Sequence, residues 1–305
     1  MKFEITKQLD KNLARRGRLT TKRSVIETPI FMPCATVGSV KGISQEELAD
    51  LGYKMILGNT YHLYLRPGDE HIKKQGGLQK YINWPHSMLT DSGGYQVFSL
   101  GHNFKKYEND ETDKNNRGLV KITKDGVTFR SHLDGSRHKF TPEKVIDIQK
   151  NLGSDIMMVL DVCTEHPADK ERARETMELT QAWAKRASDY WAKNKNPNQA
   201  LFGIVQGSTY QDLREESAKF ISSLPFDGIA VGGVSVGEGK KSMYEVMKWV
   251  SPHLPKDKPH YLMGIGEPED ILEAVKWGFD MFDCVLPTRL GRHGTVWVTK
   301  NYKKF

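Results

Sequence analysis

The stretch Met281-Phe282-Asp283-Cys284-Val285-Leu286-Pro287-Thr288-Arg289 decides the fold. Its first six residues form an apolar run broken by one aspartate, and proline and arginine follow at once. A run of that length reads as a buried strand, and the charged residue inside it faces whatever lies at the strand's end. Working back from it, seven similar runs occur at Ile30–Met32, Lys54–Leu57, Ser87–Thr90, Ile156–Leu160, Leu201–Val205, Gly228–Val231 and Tyr261–Met263. Between most of them the apolar spacing turns helical. Ser44 and Glu47 have capping-box spacing, and Thr141-Pro142-Glu143 joins an N-cap residue to a proline at the first helical position. Further helices fit Asp169–Lys193, Tyr210–Ser222, Lys240–Val250 and Glu267–Trp277.

Eight strands alternating with helices predict an α/β fold, a (β/α)8 TIM barrel, in one catalytic domain over residues 1–305. A doubly wound open sheet is disfavoured, because no GxGxxG fingerprint follows the first strand. Val231-Gly232-Gly233-Val234-Ser235-Val236-Gly237 comes after strand six and lacks that spacing. Three segments decorate the barrel. Residues 1–28 read as an N-terminal β-hairpin lid turning at Arg15-Arg16-Gly17-Arg18. Residues 96–140 read as a β insertion after strand three. Its middle, Tyr107–Arg117, is polar and expected to be mobile, and Asp125-Gly126 and Asp134-Gly135 are its hairpin turns. Residues 287–305 read as a basic C-terminal hairpin.

Bulk composition narrows the function. Of 305 residues, 45 are Lys or Arg and 38 are Asp or Glu, giving a formal net charge of +7, which suits a polyanionic partner such as nucleic acid. Cys34, Cys163 and Cys284 are far apart and odd in number. That pattern argues for a reducing compartment and against a disulfide scaffold. No apolar run approaches membrane-spanning length, and Met1-Lys2-Phe3-Glu4-Ile5 lacks a signal peptide's apolar core, so the expected location is the cytoplasm.

Barrel enzymes carry their chemistry at the C-terminal ends of the strands. That rule gathers Asp91, Asp161, Gln206, Gly232, Gly233, Met263, Gly264 and Asp283. Taken singly, each aspartate is accounted for as a turn or helix cap, and each glycine as close packing. Together they form a kit for a purine edge. Carboxylate and amide groups pair with ring N–H and amine, backbone amides face a carbonyl, and Tyr95 and Met263 sandwich the ring. Asp91 and Asp283 supply the two carboxylates that cutting and remaking a glycosidic bond requires.

Four motifs then carry a resemblance: Asp91-Ser92-Gly93-Gly94-Tyr95-Gln96, Phe202-Gly203-Ile204-Val205-Gln206-Gly207, Gly232-Gly233-Val234-Ser235-Val236-Gly237-Glu238 and Phe282-Asp283-Cys284-Val285-Leu286-Pro287-Thr288-Arg289. Together with Gly58-Asn59-Thr60-Tyr61-His62-Leu63 and Arg66-Pro67-Gly68, the chain resembles tRNA-guanine transglycosylase from its N-terminus to about residue 300. The resemblance implies a pentosyltransferase of queuosine biosynthesis. It would exchange guanine at the wobble position of GUN-anticodon tRNAs (Asp, Asn, His, Tyr) for 7-aminomethyl-7-deazaguanine (preQ1). It makes Asp283 the nucleophile, kept ionised by Arg289, and Asp91 the general acid/base. Substrate binding falls to Ser92, Tyr95, Asp161, Gln206, Gly232, Gly233, Val234, Tyr261 and Met263, and tRNA binding to Arg289 and Arg292. No cofactor is needed for the chemistry, and the full-length form is expected to be a homodimer.

Val236 and Cys163 match the bacterial pattern. Val162 stands where that pattern has glutamate, which leaves the choice among 7-deazaguanines open, and Val234 replaces a usual leucine. The family pattern continues into a structural zinc subdomain and a final helix. This sequence stops at Lys303-Lys304-Phe305 with no cysteine after Cys284, so a truncated chain without zinc ligands or an eighth helix is expected. Three other readings compete. A non-catalytic tRNA-binding subunit would not need both aspartates. An archaeosine-type sister enzyme carries further RNA-binding domains. A barrel acting on a phosphorylated sugar would use Gly264-Ile265-Gly266 but leaves the acidic set unexplained.

Overall fold

The computed structural model describes residues 1–97 and 120–298. Strands β1 (Lys2–Gln8), β2 (Arg15–Thr20) and β3 (Val25–Thr28) form an antiparallel sheet of their own. The barrel follows with β4 (Ile30–Pro33), β5 (Met55–Asn59) and β6 (Ser87–Asp91). After an antiparallel meander of β7 (Val120–Thr123), β8 (Gly126–Arg130) and β9 (Arg137–Phe140), it resumes with β10 (Ile156–Met158) and β11 (Ala200–Val205). It ends with β12 (Gly228–Val231), β13 (His260–Leu262) and β14 (Met281–Cys284).

The eight barrel strands are parallel, in the order β4-β14-β13-β12-β11-β10-β6-β5. The two ends of that series meet at a bridge between Cys34 and Leu57, where the Ala35 N–H donates to the Leu57 carbonyl at 2.6 Å. The sheet therefore closes on itself, as the eight apolar runs require. Strands β5, β11 and β12 are buried at every residue, the pattern of parallel strands covered on both faces.

Helix boundaries follow local chemistry. Ser44 accepts from the Glu47 N–H while the Glu47 carboxylate accepts from the Ser44 N–H at 2.7 Å, so the helix Gln45–Asp50 starts on a full capping box, worth about 1 kcal/mol. Thr141 caps Pro142–Leu152, which ends at Gly153 in the left-handed region, and Asp169 caps Lys170–Asn194. Helices Gln211–Ser223, Lys240–Val250 and Pro268–Lys276 lie at or within a residue of their expected bounds. Thr60–Leu65, Asp69–Lys74 and Leu78–Tyr81 are helical without having been expected, each too short to show a periodicity.

Three expectations are corrected. The N-terminal segment is a three-stranded sheet, and it seals the end of the barrel opposite the site. Arg15-Arg16-Gly17-Arg18 lies inside β2 rather than in a turn, with Arg15, Gly17 and Leu19 facing inward. Its partners mark the N-terminal strand ends. Arg15 forms a bidentate pair with Asp280, just before β14, at 3.0 and 2.6 Å, and Arg23 reaches Asp155, just before β10, at 2.8 Å. Second, Gly126 begins β8 opposite Thr123, so the first meander turn is Lys124-Asp125; Asp134 and Gly135 do lie in the second connection. Third, β14 ends at Cys284, and Leu286–Arg292 is a helix with Pro287 in its first turn instead of the start of a hairpin. The polar middle at Tyr107–Arg117 falls outside the described residues.

The Arg15–Asp280 pair is fully enclosed, with side-chain exposures of 5% and 0%. Arg15 also donates to the carbonyls of Lys256 and Lys258. Replacing Arg15 with methionine leaves the Asp280 charge buried and unpaired, so Arg15→Met is expected to cost about 3–5 kcal/mol. Urea unfolding checks this: the midpoint falls at constant m-value, and a loss below about 1 kcal/mol would show that the pair contributes little.

Candidate active site

The C-terminal strand ends surround a cavity of ≈ 450 Å³, within the range of small-molecule sites. Every residue expected to bind substrate lines it, as do Asp91, Asp283 and Arg289. Arg292 stands apart: its guanidinium donates to the Lys41 carbonyl at 3.4 Å, on the loop after β4. Among the described residues no helix is long and apolar enough to cross a membrane.

Asp91 closes β6, and register places Asn59, the last residue of β5, beside it. Asn59 Nδ2 donates to Asp91 Oδ2 at 2.7 Å. The N–H groups of Thr60 and Gly93 donate to Oδ1 at 3.2 and 3.0 Å. The Thr60 hydroxyl bonds the Asp91 carbonyl. Burial nevertheless dominates and pushes the carboxyl up to about 7. The Asp283 charge adds to the rise, and the three donors oppose it.

Asp283 lies within β14. Its Oδ1 accepts from the Tyr261 hydroxyl at 2.6 Å and the Gly264 N–H at 2.9 Å. Among the described residues its Oδ2 receives only the Cys34 thiol, at 3.6 Å. Burial raises this carboxyl as well, against the pull of the same three donors. Arg289, expected to keep Asp283 ionised, is not among those partners; neutral donors do that work. The Cys34 thiol is driven far up by burial and by the Asp283 charge, so it stays protonated and donates to Asp283. Tyr261 is wholly enclosed and reaches the site through its hydroxyl on Asp283.

A second cluster faces this pair. Asp161 Oδ2 accepts from Gln206 Nε2 at 2.8 Å and its Oδ1 from Ser92 at 3.4 Å, while burial lifts its carboxyl to about 6. Gln206 Oε1 is buried with no hydrogen-bond partner among the described residues. It presses on Gly233, where a Cβ would lie 2.3 Å from it and φ is +61°, so only glycine fits. Glu238 Oε2 accepts the Val236 N–H at 2.9 Å and holds the loop beyond. Tyr95 is 55% exposed at the rim, and Met263 is half-buried against the core on the cavity wall. Val162 is buried, its N–H bonded to Thr180.

Asn59, Thr60 and Cys34 were not picked out from sequence as site residues, although all three follow or end barrel strands, whereas Gly264 belongs to the strand-end set. Among the described residues no three His, Cys, Asp or Glu side chains are grouped to hold a metal ion.

The family model described as queuine tRNA-ribosyltransferase matches residues 10–304. Proteins named queuine tRNA-ribosyltransferase are similar to this chain in several bacteria. That of Caldanaerobacter subterraneus subsp. tengcongensis is 52% identical over 98% of this chain and 75% of its own length. That of Thermoanaerobacter pseudethanolicus is 51% identical over the same shares, and that of Shewanella sp. is 47% identical over 100% of this chain and 76% of its own.

Proposed function

The chain belongs to the queuine tRNA-ribosyltransferase family, and from that premise we propose that it is a tRNA-guanine transglycosylase of queuosine synthesis. It replaces the wobble guanine of GUN-anticodon tRNAs with a 7-deazaguanine, preQ1 in the bacterial pattern. One observation carries the reading: a single cavity holds two half-buried carboxylates whose oxygens are differently engaged. Asp91 is lifted to about 7, where it can gain and lose a proton. Asp283 has one oxygen fixed by two donors and the other, among the described residues, touched only by a thiol, which leaves Oδ2 for attack.

In this reading Asp283 Oδ2 forms a bond to ribose C1′ as the C1′–N9 bond breaks. The electron pair leaves with the guanine, and Asp91 delivers a proton to the departing ring. The incoming base then gives a proton to Asp91 and displaces Asp283 from C1′. Two displacements at one carbon retain configuration, so the new base arrives on the face the old one left. The purine edge lies against Asp161, Gln206 and the Gly233 and Val234 amides, with Tyr95 and Met263 about its faces. The anticodon base must leave its stack to enter, and Arg289 at the rim meets the phosphates.

The test is incorporation of labelled guanine into a GUN-anticodon tRNA transcript by the purified chain. Incorporation supports the reading, and none from a folded, monodisperse sample overturns it for this chain. Arg289→Ala is expected to weaken tRNA binding and to lower the slope of log affinity against log salt by about 1. An unchanged slope in a salt titration would remove Arg289 from phosphate contact.

A further inference from the structure

Arg214, in the helix Gln211–Ser223, is completely buried, yet among the described residues no carboxylate hydrogen-bonds to it. All its hydrogen bonds go to backbone carbonyls. Nε donates to Ser208 at 2.6 Å, Nη1 to Val205 at 3.2 Å and Gly232 at 2.7 Å, and Nη2 to Gly233 at 2.7 Å. Burial lowers its pKa only to about 10, so it stays cationic near neutral pH. The Glu238 charge offsets part of the cost of enclosing it, but no carboxylate among the described residues bonds to the guanidinium, whose hydrogen bonds all go to backbone carbonyls.

Peptide planarity gives those bonds a function. In a trans peptide the carbonyl and the following N–H point in opposite directions. Arg214 holds the Gly232 and Gly233 carbonyls from behind, which turns the Gly233 and Val234 N–H groups the other way. Both residues line the cavity. Neither N–H donates to any group among the described residues, whereas the Gly232 N–H is bonded to the Val205 carbonyl. The loop behind is built to bring Arg214 close. Gly207 has φ +134°, and a Cβ there would lie 2.9 Å from the Arg214 backbone nitrogen.

We propose that Arg214 is a positioning residue that aims and polarises the Gly233 and Val234 amides as an acceptor-selective pocket for a purine carbonyl. This rests on the transglycosylase reading and deepens it. The positive charge behind two aligned peptides strengthens their N–H groups as donors. It makes the pair most favourable when negative charge gathers on the carbonyl oxygen, as it does while the base departs. A base with an amine in place of that carbonyl meets donor against donor and is rejected.

The experiment uses free bases, so that it does not depend on turnover. Binding of guanine and of 2,6-diaminopurine, which carries an amine in place of the carbonyl, is measured by calorimetry for the parent, Arg214→Met and Arg214→Lys. The parent is expected to prefer guanine. Arg214→Met is expected to lose about 10- to 100-fold in guanine affinity with 2,6-diaminopurine nearly unchanged, so that the preference narrows by that factor. Arg214→Lys, with the charge but not the fork, falls between. If Arg214→Met does not fold, the ratio in Arg214→Lys decides. A preference equal to the parent's in a folded variant overturns the proposal. Failure of the parent to bind guanine at all would instead count against the transglycosylase reading.

Discussion

Asp283→Asn is expected to stop base exchange while leaving the fold and the tRNA affinity in place. Asparagine retains an oxygen for the Tyr261 hydroxyl and the Gly264 N–H, and turns an amide toward Cys34, whose sulfur can accept weakly. Nothing in the packing of β14 changes, so the melting temperature should stay within a few degrees. The chemistry changes altogether, because a neutral amide is no nucleophile toward C1′. Losing a covalent nucleophile costs on the order of 10⁴–10⁶ in rate. Single-turnover incorporation of labelled guanine, with a denaturing gel for the covalent tRNA adduct, reads both consequences. Turnover within tenfold of the parent would sink the nucleophile role.

The second large effect belongs to Asp91. Asp91→Asn keeps the acceptor for the Thr60 and Gly93 amides but cannot carry a proton. Exchange is expected to fall by about 10²–10⁴, the usual worth of a positioned acid/base. The pH profile makes the test specific. With its carboxyl at about 7, near half of Asp91 is protonated at neutral pH. At the ordinary value of 3.8 only about 1 in 1,600 would be. Because burial raises the pKa, the acid form persists to neutrality and is lost as pH rises through about 7, so base release in the parent should decline there. Asp283 must be ionised, so activity should also decline on the acid side. Since the two charges interact, both limbs belong to the pair. In Asp91→Asn the alkaline limb should vanish; its persistence would assign that limb to another group.

Much of this arrangement was legible in the sequence, because the physics that writes it is local. Eight apolar runs separated by capped helices specify a parallel barrel, and the strand-end rule then gathers Asp91, Asp161, Gln206 and Asp283 without reference to any contact. The misreadings share a cause of the opposite kind. Arg15-Arg16-Gly17-Arg18 looks like a basic turn until Asp280, at the far end of the chain, gives Arg15 a buried partner. Val285-Leu286 continues an apolar run, yet Pro287 suits a first helical turn equally well, and local pattern does not arbitrate. Arg214 is invisible for the same reason. On its helix it reads as a solvated charge, and only the meeting of two strand ends supplies carbonyls to enclose it. Cys34 and Asn59 take their place in the site from barrel closure and register, which a list of strands does not contain.

The seal at the barrel's base sets a clock on synthesis. Arg15 and Asp280 are 265 residues apart, so the first sheet is made long before the strand it must clasp. At about 5–20 residues per second, the ribosome takes about 13–50 seconds to bridge that interval. Through all of it Leu19 and Ile26, destined for the core, have no barrel to cover. The nascent chain must therefore be tolerated with an open ring and an unsatisfied cation at its leading end, and chaperone dependence should concentrate in that window rather than after release.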